Sequence, residues 1–528
     1  MRPAPQPPHG LPGGLSASQR EAVLADDPVI CVVAAAGSGK TTVLTTRVAR
    51  RSADGSARPD RTLVCTFSRK AADELRVRLR QLGVSGVTIG TIHRVALQTL
   101  ADWRERHHLS PPSVLGDRRP LLDELVSSRP SPPISAARLE SEIGWAKARM
   151  LGPDDYEAAA REARRQFGVV LELVAELYAA YERTRQRRSL LDLDDLLVQA
   201  ALALEEDDVF AEGVRWRWRH VLVDEMQDVN PAQFRLLCAL VGSEPDLFVV
   251  GDPNQAIYGW NGADPGLLDA FGAQFLGARV IRLDQNRRST PAIVQVAGAL
   301  LGQPPETVRC SRPDGPLPTL SAHDTDEDEA RWVAHQAWLA HEPGRRWSQM
   351  AVLARTNAQL ETVAQALEAQ RIPFWRTGPE LAPASDLGPS GGGERPSSRE
   401  PPHGSGGAPT EDGIVLSTFH RAKGLQWPSV FVIGLREGLV PIRSARTDAA
   451  LQEERRLLYV AVTRAEDRLW CSWAARPPGG APQPASRWVA DIERALADLA
   501  DERTPVTTQR ATSHLALLRA LVSEDRPH

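Results

Sequence analysis

The stretch 28–51, PVICVVAAAGSGKTTVLTTRVARR, constrains the fold more than any other part of the chain. Its apolar start predicts a buried strand, its glycines a turn, and its end a helix, which together open a parallel α/β unit. The string AAAGSGKT, residues 34–41, fits the phosphate-loop pattern except at its first position, where Ala34 replaces glycine. The physics tolerates that change. Gly37 and Gly39 let the backbone amides of Ala35, Ala36, Ser38 and Thr42 converge on an anion, and Lys40 adds a point charge for the β/γ oxygens. Thr41 offers a hydroxyl to Mg²⁺, and the following helix aims its N-terminus at the phosphates. Small-residue turns also occur without ligands, but the strand before and the helix after favour the phosphate reading.

VLVDEMQD, residues 221–228, supplies the second half of such a site. An apolar strand ending in two carboxylates can present Asp224 to the metal and Glu225 to the attacking water. Acidic pairs after strands are common on surfaces, so this string gains weight from the phosphate loop upstream. Further strands are expected at 61–67, 246–252, 350–356, 413–419 and 429–435, with a helix over 68–82 and a helical region over 96–190. Residues 379–412 hold almost no large apolar side chain and read as a flexible linker.

At 528 residues the chain is too long for a single core. Its formal charge of −4 advertises no overall basic field, so any nucleic-acid contact is a local groove. Five cysteines lie far apart and read as small buried hydrophobes in a reducing compartment. No leader-like apolar segment or membrane span is read, so a cytoplasmic location is expected. Only four of the 63 basic residues are lysine: Lys40, Lys70, Lys147 and Lys423. In so arginine-rich a chain, a lysine marks a position that needs a compact ammonium.

Ten motifs in order, spanning about residues 15–490, resemble UvrD/Rep/PcrA-type superfamily 1 DNA helicases. Besides the two above they are LSASQREAV (15–23), TFSRKAADEL (66–75), GTIHRVAL (90–97), VVGDPNQAIYGWNGA (249–263), LDQNRRS (283–289), ARTNAQ (354–359), STFHRAKGLQW (417–427) and EERRLLYVAVTRAEDRL (453–469). The resemblance implies an α/β fold with two RecA-like P-loop NTPase domains and a helical subdomain inserted in the first. The expected boundaries are a tail at 1–14, a first core at 15–95 and 191–282, a helical insert at 96–190, a second core at 283–378 and 413–500, and a tail at 501–528. The linker 379–412 stands where the family carries a further subdomain in its second core.

Residue by residue, the resemblance implies that Gln19 reads adenine and Gln255 senses the γ-phosphate or orients the water. Arg288 and Arg464 reach from the second core onto the transition-state charge. Phe67, Tyr258 and Trp260 stack on bases, while Thr91, His93, Arg355, Asn357, Thr418 and His420 hold the DNA backbone. Core packing remains the alternative for those nine, and a surface ion pair for the two arginines. Three departures stand out. Arg287 replaces the aromatic that stacks on adenine, Asn261 replaces an arginine, and Gln426 replaces a glutamate near the ribose. The implied function is an ATP- and Mg²⁺-dependent 3′–5′ single-stranded DNA translocase or helicase in repair or recombination, monomeric and acting at single-strand/duplex junctions. Alternatives are a DNA-stimulated ATPase that displaces proteins, and a non-hydrolysing ATP-binding subunit of a nuclease complex.

Overall fold

The computed structural model describes residues 14–128, 134–165, 170–304, 307–342, 344–378, 412–477 and 479–503. The expected N-terminal tail up to residue 13, the linker over 379–411 and the end of the expected C-terminal tail from 504 lie outside them. Six strands form the first sheet: β1 (Val29–Ala34), β2 (Thr62–Thr66), β3 (Thr88–Thr91), β4 (His220–Val223), β5 (Leu247–Gly251) and β6 (Arg279–Leu283). Their order is β3-β2-β4-β5-β1-β6, and every neighbouring pair is parallel. A two-stranded ladder of β7 (Gln285–Asn286) and β8 (Arg309–Cys310) follows. The second sheet contains β9 (Thr319–Thr325), β10 (Met350–Ala354), β11 (Phe374–Arg376), β12 (Ile414–Thr418), β13 (Trp427–Val432) and β14 (Ala465–Arg476). Its order is β11-β12-β10-β13-β14-β9, again wholly parallel.

Strand periodicity explains why both sheets are covered on both faces. Val29, Cys31, Leu63, Cys65 and Val221 enter one core, while Ile30, Val32, Val64 and Leu222 enter another. The second sheet divides alike, with Ala351, Leu353, Val430 and Val432 on one face and Val352, Leu416, Phe431 and Ile433 on the other. Parallel strands buried on both faces read as the unbroken apolar runs seen in the sequence. Among the described residues all five cysteines are free thiols, and Cys31, Cys65 and Cys471 are buried. No helix among the described residues is long and apolar enough to cross a membrane.

Several expected boundaries move. The cut at 95/96 falls inside the helix Ile92–Arg106, whose Val95, Ala96 and Leu100 pack with Leu63 and Cys65 in the first core. The helical insert starts instead at a neck where Leu115 N donates to Leu191 O at 2.7 Å and Leu191 N to Ser113 O at 2.9 Å. Beyond it, four helices (Arg119–Ser127, Ala136–Ala148, Pro153–Glu162 and Leu171–Arg187) enclose their own core around Leu122, Ile143, Tyr156 and Tyr181. Asp412, expected to close the linker, is fastened to the second core by accepting the backbone N–H groups of Trp347 and Ser348, each at 2.9 Å. Residues 501–503, assigned to the tail, complete the helix Val489–Arg503, and Leu283 belongs to β6 of the first sheet.

Candidate active site

The carboxyl ends of β1, β4 and β5 bring three polar turns together, as parallel strand order dictates. After β1 the chain turns through Gly37 and Gly39, at φ 74° and 83°, and enters the helix Lys40–Ala53. A side chain at Gly37 would meet Asn286 Nδ2 at 2.7 Å and the Arg288 Cβ at 2.8 Å. Glycine is required there because the second core presses on the loop. Asn286 Nδ2 donates to Ala36 O at 2.8 Å, Arg287 N to Gly37 O at 2.9 Å, and Ala36 N to the Tyr459 hydroxyl at 3.4 Å. Ala36 and Ile257, both from the first core's chain segments, are buried in the second core's apolar cluster. Ala34 is a buried strand residue, Ser38 turns its hydroxyl back to Ala35 O at 2.7 Å, and Thr42 is exposed.

Lys40 Nζ is buried and has no hydrogen-bond partner among the described residues. The nearest carboxylate oxygens, of Glu225 and Asp252, are each 3.8 Å away. A buried ammonium without hydrogen bonds is costly, so this atom fits a phosphate oxygen. Thr41 begins the same helix, and Asp224 follows β4 with its N–H on Cys65 O at 2.9 Å. A hydroxyl and a carboxylate are hard oxygen donors, the set that suits Mg²⁺. Burial and the adjacent Glu225 raise the Asp224 carboxyl. Burial pushes Glu225 the same way, but Lys40, Lys423, Gln227 and Arg464 outweigh it and hold Glu225 ionised. Glu225 sits at φ 55°, a left-handed conformation that costs an ordinary residue about 1–2 kcal/mol. Gln227 Nε2 donates to that carboxylate, and Gln227 Oε1 accepts from Asp252 N at 2.9 Å.

Both predicted arginines reach this cleft. Arg464 is 1% exposed; its Nη2 donates to Gln255 Oε1 at 3.4 Å, its Nε to Val460 O at 2.8 Å and its Nη1 to Leu425 O at 3.2 Å. Gln255 Nε2 in turn donates to Asp252 Oδ2 at 2.6 Å. Arg288 lies beside Arg464 and donates to Thr463 O at 3.4 Å. Burial and Arg288 both lower the Arg464 guanidinium, as expected of two buried cations facing one site.

Gln19, expected to read adenine, is buried with its amide engaged. Its Oε1 accepts from Ser16 N at 3.0 Å and Arg287 Nη1 at 2.8 Å, and its Nε2 donates to Ser38 O at 2.7 Å. Gln426 is exposed. The expected DNA contacts divide. Phe67 stacks on Tyr258 at 4.9 Å and 15°, and Trp260 stands edge-on to Tyr258 at 6.4 Å with 45% of its surface exposed. Phe67, Thr91 and His93 line one cavity with Asp224 and Glu225. Other polar groups are already engaged. Thr91 caps the helix Ile92–Arg106 by accepting from Arg94 N at 3.3 Å, and Thr418 accepts from Arg421 N at 3.5 Å. Arg355, expected on a phosphate, instead holds the buried Glu454 through two bonds of 3.1 and 2.7 Å. His420 is driven down to about 4 by burial, Arg355 and Lys423, so it faces the cleft as a neutral ring. Asn357 is exposed at the start of its helix. The motif reading missed Lys423, whose Nζ crosses between the cores to Asp228 at 2.6 and 2.8 Å and to Gln255 O at 2.6 Å. The rarity of lysine was the available signal.

The pattern of the UvrD/REP helicase N-terminal domain matches residues 15–276, and that of the UvrD-like helicase C-terminal domain matches 281–379 and 405–476. The chain belongs to the UvrD/Rep helicase family. It is 34% identical over 565 residues to the ATP-dependent DNA helicase UvrD2 of Mycobacterium tuberculosis H37Rv, covering 89% of this chain and 80% of that protein. The ATP-dependent DNA helicase PcrA of Staphylococcus epidermidis RP62A is 29% identical over 389 residues, covering 70% of this chain and 52% of its own length. PcrA of Staphylococcus aureus Mu50 is 24% identical over 637 residues, covering 91% and 86%. Asn261, expected as a departure from the family's arginine, lies in the short turn Gly259–Asn261, packed against the helix Ala136–Ala148 of the insert.

Proposed function

We propose that this protein is an ATP-driven motor on single-stranded DNA, a translocase with helicase activity moving 3′ to 5′ in repair or recombination. The observation that carries the reading is the unpartnered ammonium of Lys40, 3.8 Å from Glu225 in a cleft that Arg464 and Arg288 enter from the other core. ATP enters with its triphosphate on the loop 34–42, and Lys40 holds the β/γ oxygens. Thr41 and Asp224 would hold Mg²⁺, which when bound would neutralise phosphate charge. A water aligned by Gln255 attacks the γ-phosphorus, its proton passes to the Glu225 carboxylate, and the bond to the β–γ bridging oxygen breaks. Arg288 and Arg464 meet the charge that develops, so closure of the cores and turnover are coupled.

The aromatic group Phe67, Tyr258 and Trp260 supports the DNA part of the reading, since every base has a face to stack and a motor has to tolerate any sequence. Thr418 accepts from Arg421 N and so keeps its O–H for a phosphate, and Glu454 takes only Nε and Nη2 of Arg355, so neither present contact bars these residues from the DNA set. Two assays test the whole. ATP hydrolysis measured with and without oligo-dT rises with DNA; a DNA-indifferent rate refutes the motor. Duplexes with 3′ or 5′ single-stranded tails report unwinding and direction, and opening of the 5′-tailed substrate alone refutes the polarity.

A further inference from the structure

We propose that this chain accepts guanosine triphosphate as readily as adenosine triphosphate, because Arg287 occupies the acceptor with which Gln19 would read adenine. The proposal rests on the ATPase reading above and concerns only the choice of base. Gln19 lies against the phosphate loop: a Cβ on Gly39 would fall 2.6 Å from its Nε2, the atom that donates to Ser38 O. A side-chain amide there distinguishes adenine by accepting its N6–H and donating to its N7. An amide oxygen has two lone pairs. Both are filled here, one by Ser16 N at 3.0 Å and one by Arg287 Nη1 at 2.8 Å. One Nε2 hydrogen is on Ser38 O, which leaves one donor, and N7 accepts it in adenine and guanine alike.

The arrangement is fixed from several sides. The Ser16 contact belongs to a capping box on the helix Ala17–Leu24, so turning the amide over would set two donors against each other. Arg287 is anchored through its own backbone, which donates to Gly37 O at 2.9 Å, and through a second guanidinium nitrogen on Gly14 O. Held to Gln19 through an N–H of its edge, the guanidinium offers further hydrogens that suit guanine O6 and N7, whereas the adenine amino group offers no acceptor.

The test compares kcat/KM for ATP and GTP on the full chain with oligo-dT, in the wild type and in Arg287→Leu. The wild type is expected to use both within about threefold, and Arg287→Leu to shift the ratio toward ATP by about tenfold, as restored hydrogen bonding of one acceptor implies. A wild-type preference for ATP above about tenfold, or an unchanged ratio in a folded Arg287→Leu, overturns the proposal. Should neither nucleotide turn over, the motor reading fails alone. Fluorescent mant-ATP and mant-GTP affinities then decide the base question: equal Kd values uphold it, and tighter mant-ATP by about tenfold overturns it. If the variant does not fold, the wild-type ratio decides.

Discussion

Two lysines, in a chain that has only four, place their ammonium groups out of solvent in opposite electrostatic situations. Lys147, in the helical insert, places its ammonium on Glu182 at 2.9 Å, Asp192 at 2.7 Å and Asp195 at 2.7 Å. Arg118 and Arg185 complete the ring, and the Tyr181 hydroxyl donates to Asp192 at 2.8 Å. These three carboxylates lie close enough to hold a cation, and the ammonium is that cation. Lys40 has no partner within hydrogen-bond distance. The first lysine uses its charge inside the fold, and the second keeps its charge for something that arrives. Burial alone does not separate structural from functional charge; the count of satisfied hydrogens does.

The contrast breaks most visibly through Lys147→Ala. Three carboxylates then share two arginines, and the expected cost is about 3–5 kcal/mol in urea unfolding. Hydrolysis per folded molecule should stay at the wild-type level; a specific loss of turnover would make the insert's charge cluster part of the active site. Lys40→Ala should do the reverse. Turnover falls by ~10²–10³-fold, as for removal of one preorganised group on developing charge. The unfolding midpoint should move less than in Lys147→Ala, because removal of an unsatisfied ammonium partly offsets the lost charge compensation at Glu225 and Asp252, 3.8 Å away. A large drop in stability with retained turnover would sink the comparison.

Lys423 is an intermediate case, satisfied like Lys147 but spanning the cleft like Lys40. Its removal leaves Asp228 buried, a carboxyl that burial raises to about 6 even with Lys423 opposing. Breaking a charge-assisted contact of this kind costs about 1.5–3 kcal/mol at neutral pH. The sign with pH follows from linkage. A folded pKa above the unfolded 3.8 means stability from Asp228 is full below pH 3.8 and is lost as pH rises through about 6. In Lys423→Ala the folded value climbs further, so the stability gap to wild type should widen from pH 4 to pH 8. A gap that is flat with pH would mean Asp228 finds another partner.

Much of this was legible before any coordinates. The phosphate loop, the paired carboxylates and the central strands β10, β12 and β13 announce themselves through apolar runs ending in fixed polar residues. Strands β9 and β14 did not, because TLSAHDT is half-exposed at a sheet edge and AEDRLWCSWAAR mixes charge with small residues. The helix Ile92–Arg106 blurred a domain boundary, since its sequence reads as helical whether it covers a sheet or starts an insert. Partner choice was the least legible property. Nothing in RTN or QNRRS says that Arg355 takes Glu454 or that Arg287 takes Gln19, since long side chains select partners only once the fold has brought candidates within reach.

The smallest expected effect concerns how the two sites communicate. The loop of Trp260 is wedged between domains: a Cβ on Gly262 would strike Ala148 of the insert at 2.3 Å, and one on Gly259 would lie 2.5 Å from Glu453 of the second core. The buried Glu453 carboxyl accepts the backbone N–H groups of Trp260 and Gly259. Glu453 stands on the helix Asp448–Val462, which leads directly into Arg464. A helix thus joins the loop proposed to stack on bases to the arginine proposed to meet the phosphates. Glu453→Gln keeps the shape but removes the charge and replaces one of two acceptor oxygens with a donor beside two N–H groups, a loss of about 1 kcal/mol. DNA stimulation of hydrolysis should fall about fivefold while the DNA-free rate stays near wild type. If both rates fell together, the helix would be supporting the nucleotide site alone, and the saturated contact at Glu453 would belong with Lys147 as architecture.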